Sequence, residues 1–251
     1  MTDSKKIPPH SDSNRPGSPS EGQRFSPQDP DISPGDGPRL LKSDPFGAVT
    51  VSTNSNGELM IQRDTDAAAW WARWLARRLA AREARALVRA DQVAGIPRLV
   101  AFDGRMLTRT WIGGLPMFQA MPRQPSYYRD ALRLLRRLHR AGVAHNDLAK
   151  EPNWLCGADG SPAVIDFQLA SVSATRGRVF RMLAREDLRH LLKHKRTYCP
   201  DGLTERQRHM LARPAWPSRW SRRLLKPVYL TITRRWMGWE DRDGAADRQH
   251  R

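Results

Sequence analysis

GVAHNDLAKEPNWLCGADGSPAVIDFQLA, residues 142–170, is the stretch that decides how this chain reads. Asp147 follows directly on a helical pattern closed by Gly142. Asn153 comes six residues later, and Asp166 thirteen residues after that, in an apolar Val-Ile-Asp-Phe run. Residues 153–156 and 163–167 are short apolar strand signals, and the turn Gly157-Ala158-Asp159-Gly160 between them makes a hairpin. His145 sits just ahead of the loop, where its ring can brace the backbone.

These residue types, in this order, suit phosphoryl transfer. One carboxylate, Asp147, orients an incoming hydroxyl and accepts its proton. The amide oxygen of Asn153 and the carboxylate of Asp166 are hard ligands for Mg²⁺ on nucleotide phosphates. Taken singly, Asp147 would serve equally to cap a turn and Asp166 to end a strand. The joint spacing, with a helix before it and a hairpin inside it, favours the chemical reading.

Upstream, residues 47–53 and 58–63 are strand signals joined by an Asn-Gly turn. Residues 64–90, rich in Ala, Arg, Leu and Trp without Gly or Pro, predict one long helix. Residues 98–102 and 105–112 predict two more strands, and Gly113-Gly114-Leu115-Pro116 a connector. Tyr127, Tyr128, Ala131, Leu134, Leu135 and Leu138 recur at helical spacing over 126–141, and the chain beyond about 178 is helical and basic. Strands first and helices second predict an α+β chain in two lobes.

His145-Asn146-Asp147-Leu148 resembles the catalytic-loop His-Arg-Asp-Leu of the protein-kinase-like superfamily. Asn153 resembles that loop's metal-binding Asn, and Ile165-Asp166-Phe167-Gln168 resembles its Asp-Phe-Gly motif. Within the superfamily the motifs are similar to those of small bacterial atypical kinases, namely the RIO type and the type acting on lipopolysaccharide core sugars. Bacterial chains similar from Leu40 onward are identified as serine/threonine protein kinases. The resemblance implies a β-rich N-lobe over 39–115, a helical C-lobe over 116–240, and tails at 1–38 and 241–251. It implies ATP and Mg²⁺ between the lobes, and transfer of the γ-phosphate to a protein Ser/Thr or a core-sugar hydroxyl. The competing expectation is a pseudokinase or peripheral membrane scaffold, motivated by two missing parts of the family's pattern.

The first missing part is the lysine of the third strand, which in the family pairs with a glutamate on the following helix and holds the α- and β-phosphates. Glu83 is the glutamate here, and the strand Leu59-Met60-Ile61-Gln62-Arg63-Asp64 offers only Arg63. Arg63 is therefore expected to pair with Glu83 and steady the phosphates, provided its face of the strand, and not that of Gln62, meets the cleft. The helical neighbours of Glu83 are Leu79, Ala80, Ala86 and Leu87, so either its partner comes from elsewhere or it sits at the solvent edge of the buried face. The second missing part is the Gly-rich loop. Ser43-Asp44-Pro45-Phe46-Gly47 stands in its place, with Gly47 allowing close approach of phosphate and Ser43 donating to it; a plain turn is the other reading. Further departures are Asn146 for the family's Arg, which predicts no phosphorylation-gated loop; one extra residue before Asn153, which predicts a bulge at Pro152; and Gln168 for Gly.

Composition narrows the partners. The 251 residues carry 43 Lys and Arg against 26 Asp and Glu, a formal charge of +17 that favours anionic company. Residues 1–38 are Pro-, Ser- and Gly-rich, with apolar residues too few and isolated to order the backbone, which predicts a disordered tail; it is nearly neutral, so the charge excess belongs to the rest. Two cysteines exclude a disulfide framework or a four-cysteine zinc site. The polar start and the lack of an 18-residue apolar run predict neither secretory leader nor spanning helix, hence a cytoplasmic protein with peripheral contact at the inner membrane face as an option. Two basic stretches bear tryptophans, at 70–78 and 216–239. They suit an anionic membrane surface or plain helix packing with a solvated charged face; nucleic acid is the weaker reading, since no nucleic-acid motif accompanies the charge.

Overall fold

The computed structural model describes residues 37–212. Nearly all of the expected N-terminal tail, the basic stretch 216–239 and the C-terminal tail 241–251 lie outside the described residues.

The first half is an antiparallel five-stranded sheet in the order β1-β2-β3-β5-β4. Its strands are β1 Arg39–Asp44, β2 Gly47–Thr53, β3 Leu59–Asp64, β4 Leu99–Phe102 and β5 Met106–Thr110. β1 was not foreseen, because its residues are nearly all exposed and show no alternation. The Asn54–Glu58 turn forms as its sequence requires, with Asn54 Oδ1 accepting from the amides of Asn56 and Glu58.

Helix α1, Arg73–Arg89, packs on this sheet. It begins nine residues later than the sequence pattern suggests. Residues 64–72 are held in turns by partners far along the chain: Thr65 donates from its amide and its hydroxyl to the Arg105 carbonyl, and the Ala69 amide donates to Pro45. A helix through this segment would forfeit those bonds. Register fixes the face question for β3. Ile61 pairs with Arg109 and Arg63 with Leu107, so these four residues share one face. Leu107 is fully buried against Ala80 and Ala84, which makes that face the one covered by α1.

After the Gly113-Gly114 connector come β6 Leu115–Pro116, the short helix α2 Met117–Ala120 and helix α3 Pro125–Arg140. The apolar stripe of α3, from Tyr127 to Leu138, is buried as its spacing predicts. β7 Val143–Ala144 pairs with β10 Ser171–Val172, and β8 Trp154–Cys156 lies between β6 and β9 Pro162–Val164. Helices α4 Arg178–Tyr198 and α5 Glu205–Ala212 complete the described chain. The main core gathers α3, the end of α1, Trp154, Val164 and Phe167, and so lies directly under the 142–170 stretch.

The tryptophans of the first basic stretch stand largely in solvent: Trp70 is 84% exposed, Trp74 68% and Trp71 41%, with Leu75 at 39%. The packing of residues 70–78 is carried by Ala72 and Ala76, which are buried.

Gly47 has a reason of its own. It is buried at φ 126°, and a side chain there would run into the carbonyl of Asp64. Its missing side chain thus serves the closure of β2 on β3, a role that requires no phosphate. Replacing Gly47 with Ala should cost about 1–3 kcal/mol from backbone conformation alone, before any clash. Thermal unfolding without nucleotide would read this loss; an unchanged midpoint would contradict it.

Candidate active site

The loop that carries Asp147 is anchored from below by one buried carboxylate. Asp187 of α4 is fully buried and accepts from the backbone amides of His145 at 2.8 Å and Asn146 at 2.9 Å. His139 of α3 meets the same carboxylate at 3.1 Å. Two successive amides captured by one group fix the direction of the chain entering Asp147. Asn146 takes a left-handed backbone there, φ 67°, which Asn tolerates better than most residues.

Asp147 then projects into a half-buried position. Its Oδ2 lies 3.0 Å from the Lys150 ammonium and accepts from the Asn153 amide at 3.2 Å. Asn153 Nδ2 also donates to the Asp147 carbonyl at 2.9 Å. Both donations come from nitrogen, which leaves the Asn153 oxygen as the side chain's acceptor. The extra residue between Asp147 and Asn153 is absorbed in a single 3-10 turn, Glu151–Asn153, with Pro152 at its centre. Burial raises the Asp147 carboxyl above the ordinary aspartate value; the Lys150 ammonium opposes this and the charge of Asp166 adds to it.

Asp166 reaches the same region by way of the hairpin. Trp154 pairs with Val164, and the Ile165 amide donates to the Asn153 carbonyl at 3.0 Å. The two ends of the hairpin therefore bring the backbones of Asn153 and Ile165 together, with Asp166 the next residue. Asp166 is in the left-handed region, φ 68°. His145 braces it: the ring Nε2–H donates to the Ile165 carbonyl at 3.0 Å, and the ring stands edge-on to Phe167 at 4.7 Å. Its Nδ1 in turn accepts from the Asp147 amide at 3.3 Å, so the ring carries its proton on Nε2.

Asp166 Oδ1 is buried and has no hydrogen-bond partner. A buried carboxylate oxygen without a donor is costly unless a cation meets it. That oxygen and the amide oxygen of Asn153 are the ligand types of a hard divalent ion such as Mg²⁺, which takes one or two protein oxygens and fills the rest with water and phosphate.

Glu83 is 1% exposed, and its ion pair is with Arg109 of β5, Nε to Oε1 at 3.1 Å. This corrects the expected Arg63–Glu83 pair. Arg63 sits one pair further along the same face, close enough for its charge to act on Glu83 without an ion pair forming. Burial raises the Glu83 carboxyl; Arg109 and then Arg63 lower it, and Asp166 raises it further. Glu83, Arg109, Arg63 and Asp166 therefore belong to one electrostatic neighbourhood. Ser43 is apart from it by element: it lies exposed in β1, opposite Ala48.

Arg82, beside Glu83, reaches past Asp166. Its guanidinium donates to the Ala170 carbonyl at 2.6 Å and to Ser171 Oγ at 3.2 Å. Asn146 donates from Nδ2 to Ser171 Oγ and to the Leu169 carbonyl, both at 2.8 Å. The segment after Asp166 is thus tied to α1 and to the loop by neutral and cationic side chains.

No protein-family model matches the sequence, and no curated protein matches it. Solved structures do. The Rio2 kinase from Chaetomium thermophilum is 16% identical, with a TM-score of 0.51 over 69% of this chain and 61% of that one. The same kinase in complex with ADP/Mg²⁺ and phosphoaspartate gives 16%, 0.50, 70% and 62%. The fold is protein-kinase-like. The chain spans about three fifths of the length of these structures.

Sequence reasoning missed Asp187, Arg109, Arg82 and the contact of Lys150. Asp187 had a signal: an acid in the buried stripe of α4, between Phe180 and Leu191. The others depend on strand pairing and helix packing, which spacing does not reveal. Asp187→Ala should destabilise the chain by about 3–5 kcal/mol, because two buried amides and His139 lose their acceptor. Urea unfolding measures it; a loss under 1 kcal/mol would show that the loop does not depend on this anchor.

Proposed function

We propose that this chain is a phosphotransferase that moves the γ-phosphate of ATP to a hydroxyl. One observation carries the proposal: Asp166 presents a buried carboxylate oxygen with no protein donor, within electrostatic reach of Asp147, whose own carboxylate is bonded to Asn153. A scaffold has no chemical need for that arrangement.

Asp147 would hold the acceptor hydroxyl and take its proton. Lys150, 3.0 Å from that carboxylate, is placed to meet the charge of an arriving phosphate. Asn153 and Asp166 would hold Mg²⁺, which when bound neutralises charge on the nucleotide's phosphates. The task given to one lysine in the family is here divided between two arginines. Arg109 neutralises Glu83, and this leaves Arg63, on the same face, for the phosphates. The gain in rate would come from alignment and charge compensation rather than a covalent intermediate.

The acceptor is a protein Ser/Thr or a core-sugar hydroxyl of lipopolysaccharide, as in a small bacterial atypical kinase. Only eleven residues lie between Asp166 and the first residue of α4, Arg178, little room for a peptide-docking platform. This favours an acceptor that is not an extended peptide. Labelled transfer from ATP into cell-envelope glycolipid and protein fractions decides between them; label in protein alone would reject the sugar.

Asp147→Ala should abolish transfer while leaving nucleotide affinity nearly intact; unchanged turnover would remove Asp147 from the mechanism. In the unsubstituted protein the base must be ionised, and burial lifts its carboxyl above 3.8. The transfer rate should therefore fall as pH drops, with an acid midpoint above 3.8 in a pH–rate profile. Arg63→Ala should raise the ATP requirement by roughly tenfold or more with little loss of stability. Arg109→Ala strands a buried glutamate and should cost about 3–5 kcal/mol of stability. Titration of ATP binding beside urea unfolding separates the two arginines; the reverse pattern would overturn this division. Absence of both hydrolysis and transfer in the unsubstituted protein would favour the scaffold.

A further inference from the structure

The start of α1 presents a face that the phosphotransfer reading does not use. Trp70 and Trp71 lie in the turn that leads into α1, and Trp74 and Leu75 in the helix's first turn. All four side chains are exposed, Trp70 and Trp74 more than any other large apolar residue of the described chain. Leaving this much ring surface in water is unfavourable, and all three of these rings lie within residues 70–74.

The charges around the patch are of one sign. Arg73, Arg77 and Arg78 lie among the tryptophans, and the first turn of α1 holds no acid. The nearest acid, Asp66, is neutralised by Arg77 at 2.7 Å and by Arg105 at 3.4 Å. Arg78 lies over the Trp74 ring at 5.0 Å, so the ring and the cation are presented together.

We infer that this face is a docking surface for an anionic phospholipid bilayer. Indole rings settle at headgroup depth, where a flat apolar body and an N–H are both satisfied, and the Arg78 guanidinium, presented together with the Trp74 ring, meets lipid phosphate from the same side. No helix among the described residues is long and apolar enough to cross a membrane, so the contact is peripheral. Two other occupants fit less well. A second copy of the same face would bring two sets of arginines together. A nucleic acid needs cations that track its backbone, whereas here Arg73 is bonded to the Asp66 and Ala68 carbonyls and Arg77 to Asp66. Leu75 also offers no ring to stack on.

The inference is independent of phosphate transfer and is tested on the full chain. Sedimentation with vesicles of phosphatidylcholine and phosphatidylglycerol is compared for the unsubstituted protein and the Trp70→Ala/Trp74→Ala double variant, with circular dichroism as the check on folding. The expected result is binding that rises with the anionic lipid fraction and falls at least tenfold in the folded double variant. Arg78→Ala should weaken it less, and mainly at low salt. Equal vesicle binding by the double variant would overturn the inference, since another surface would then be responsible. So would vesicle binding absent from both proteins. A double variant that loses only affinity for an oligo-dT probe would assign the face to nucleic acid. One that loses only a concentration-dependent dimer, seen by analytical ultracentrifugation, would assign it to a second copy.

Discussion

Everything at this site rests on one carboxylate that would touch no substrate. Asp187 lies in the buried stripe of α4 and gathers the amides of His145 and Asn146 and the ring of His139. A charge so buried is tolerable only when its lone pairs are filled, and here three donors fill them. The reward is directional: the turn into Asp147 cannot rotate without unpairing a group that water does not reach. From that fixed point His145 extends to the Ile165 carbonyl and Phe167, so a single anchor sets both acidic side chains at once.

A second constraint acts from the sheet. Glu83 is buried beside Asp166, and two acids in one dry neighbourhood repel each other. Arg109 offsets this as a direct partner and Arg63 from one pair away. A guanidinium suits the buried task better than an ammonium, because it is less strongly hydrated and keeps its charge. Placing that cation on β5 puts the partner of Glu83 on a different strand from the one that carries it in the related fold.

Much of the fold was legible in the sequence, and the reason is periodicity. The α3 stripe from Tyr127 to Leu138 and the Asn-Gly turn at 56–57 are local signals, and both appear where the pattern puts them. The order of Asp147, Asn153 and Asp166 was legible because a loop and a hairpin bring them together by short-range geometry. The start of α1 was misjudged because residues 64–72 are held by Arg105 and Pro45, distant partners that no local window contains. The partner of Glu83 was misjudged for a similar reason: the motif pointed to β3, while the pairing of β3 with β5 put Arg109 within reach. Gly47 illustrates a third limit. A glycine announces a close approach without saying what approaches, and the neighbour proved to be the chain's own carbonyl.

The clasp formed by Asn146, Arg82 and Ser171 has a consequence for timing. It is closed by an amide, a guanidinium and a hydroxyl, all encoded in the chain. Its bonds join three separate elements, the loop at Asn146, α1 at Arg82 and β10 at Ser171, so the segment after Asp166 can take its place in the same step of folding that docks α1 on the loop.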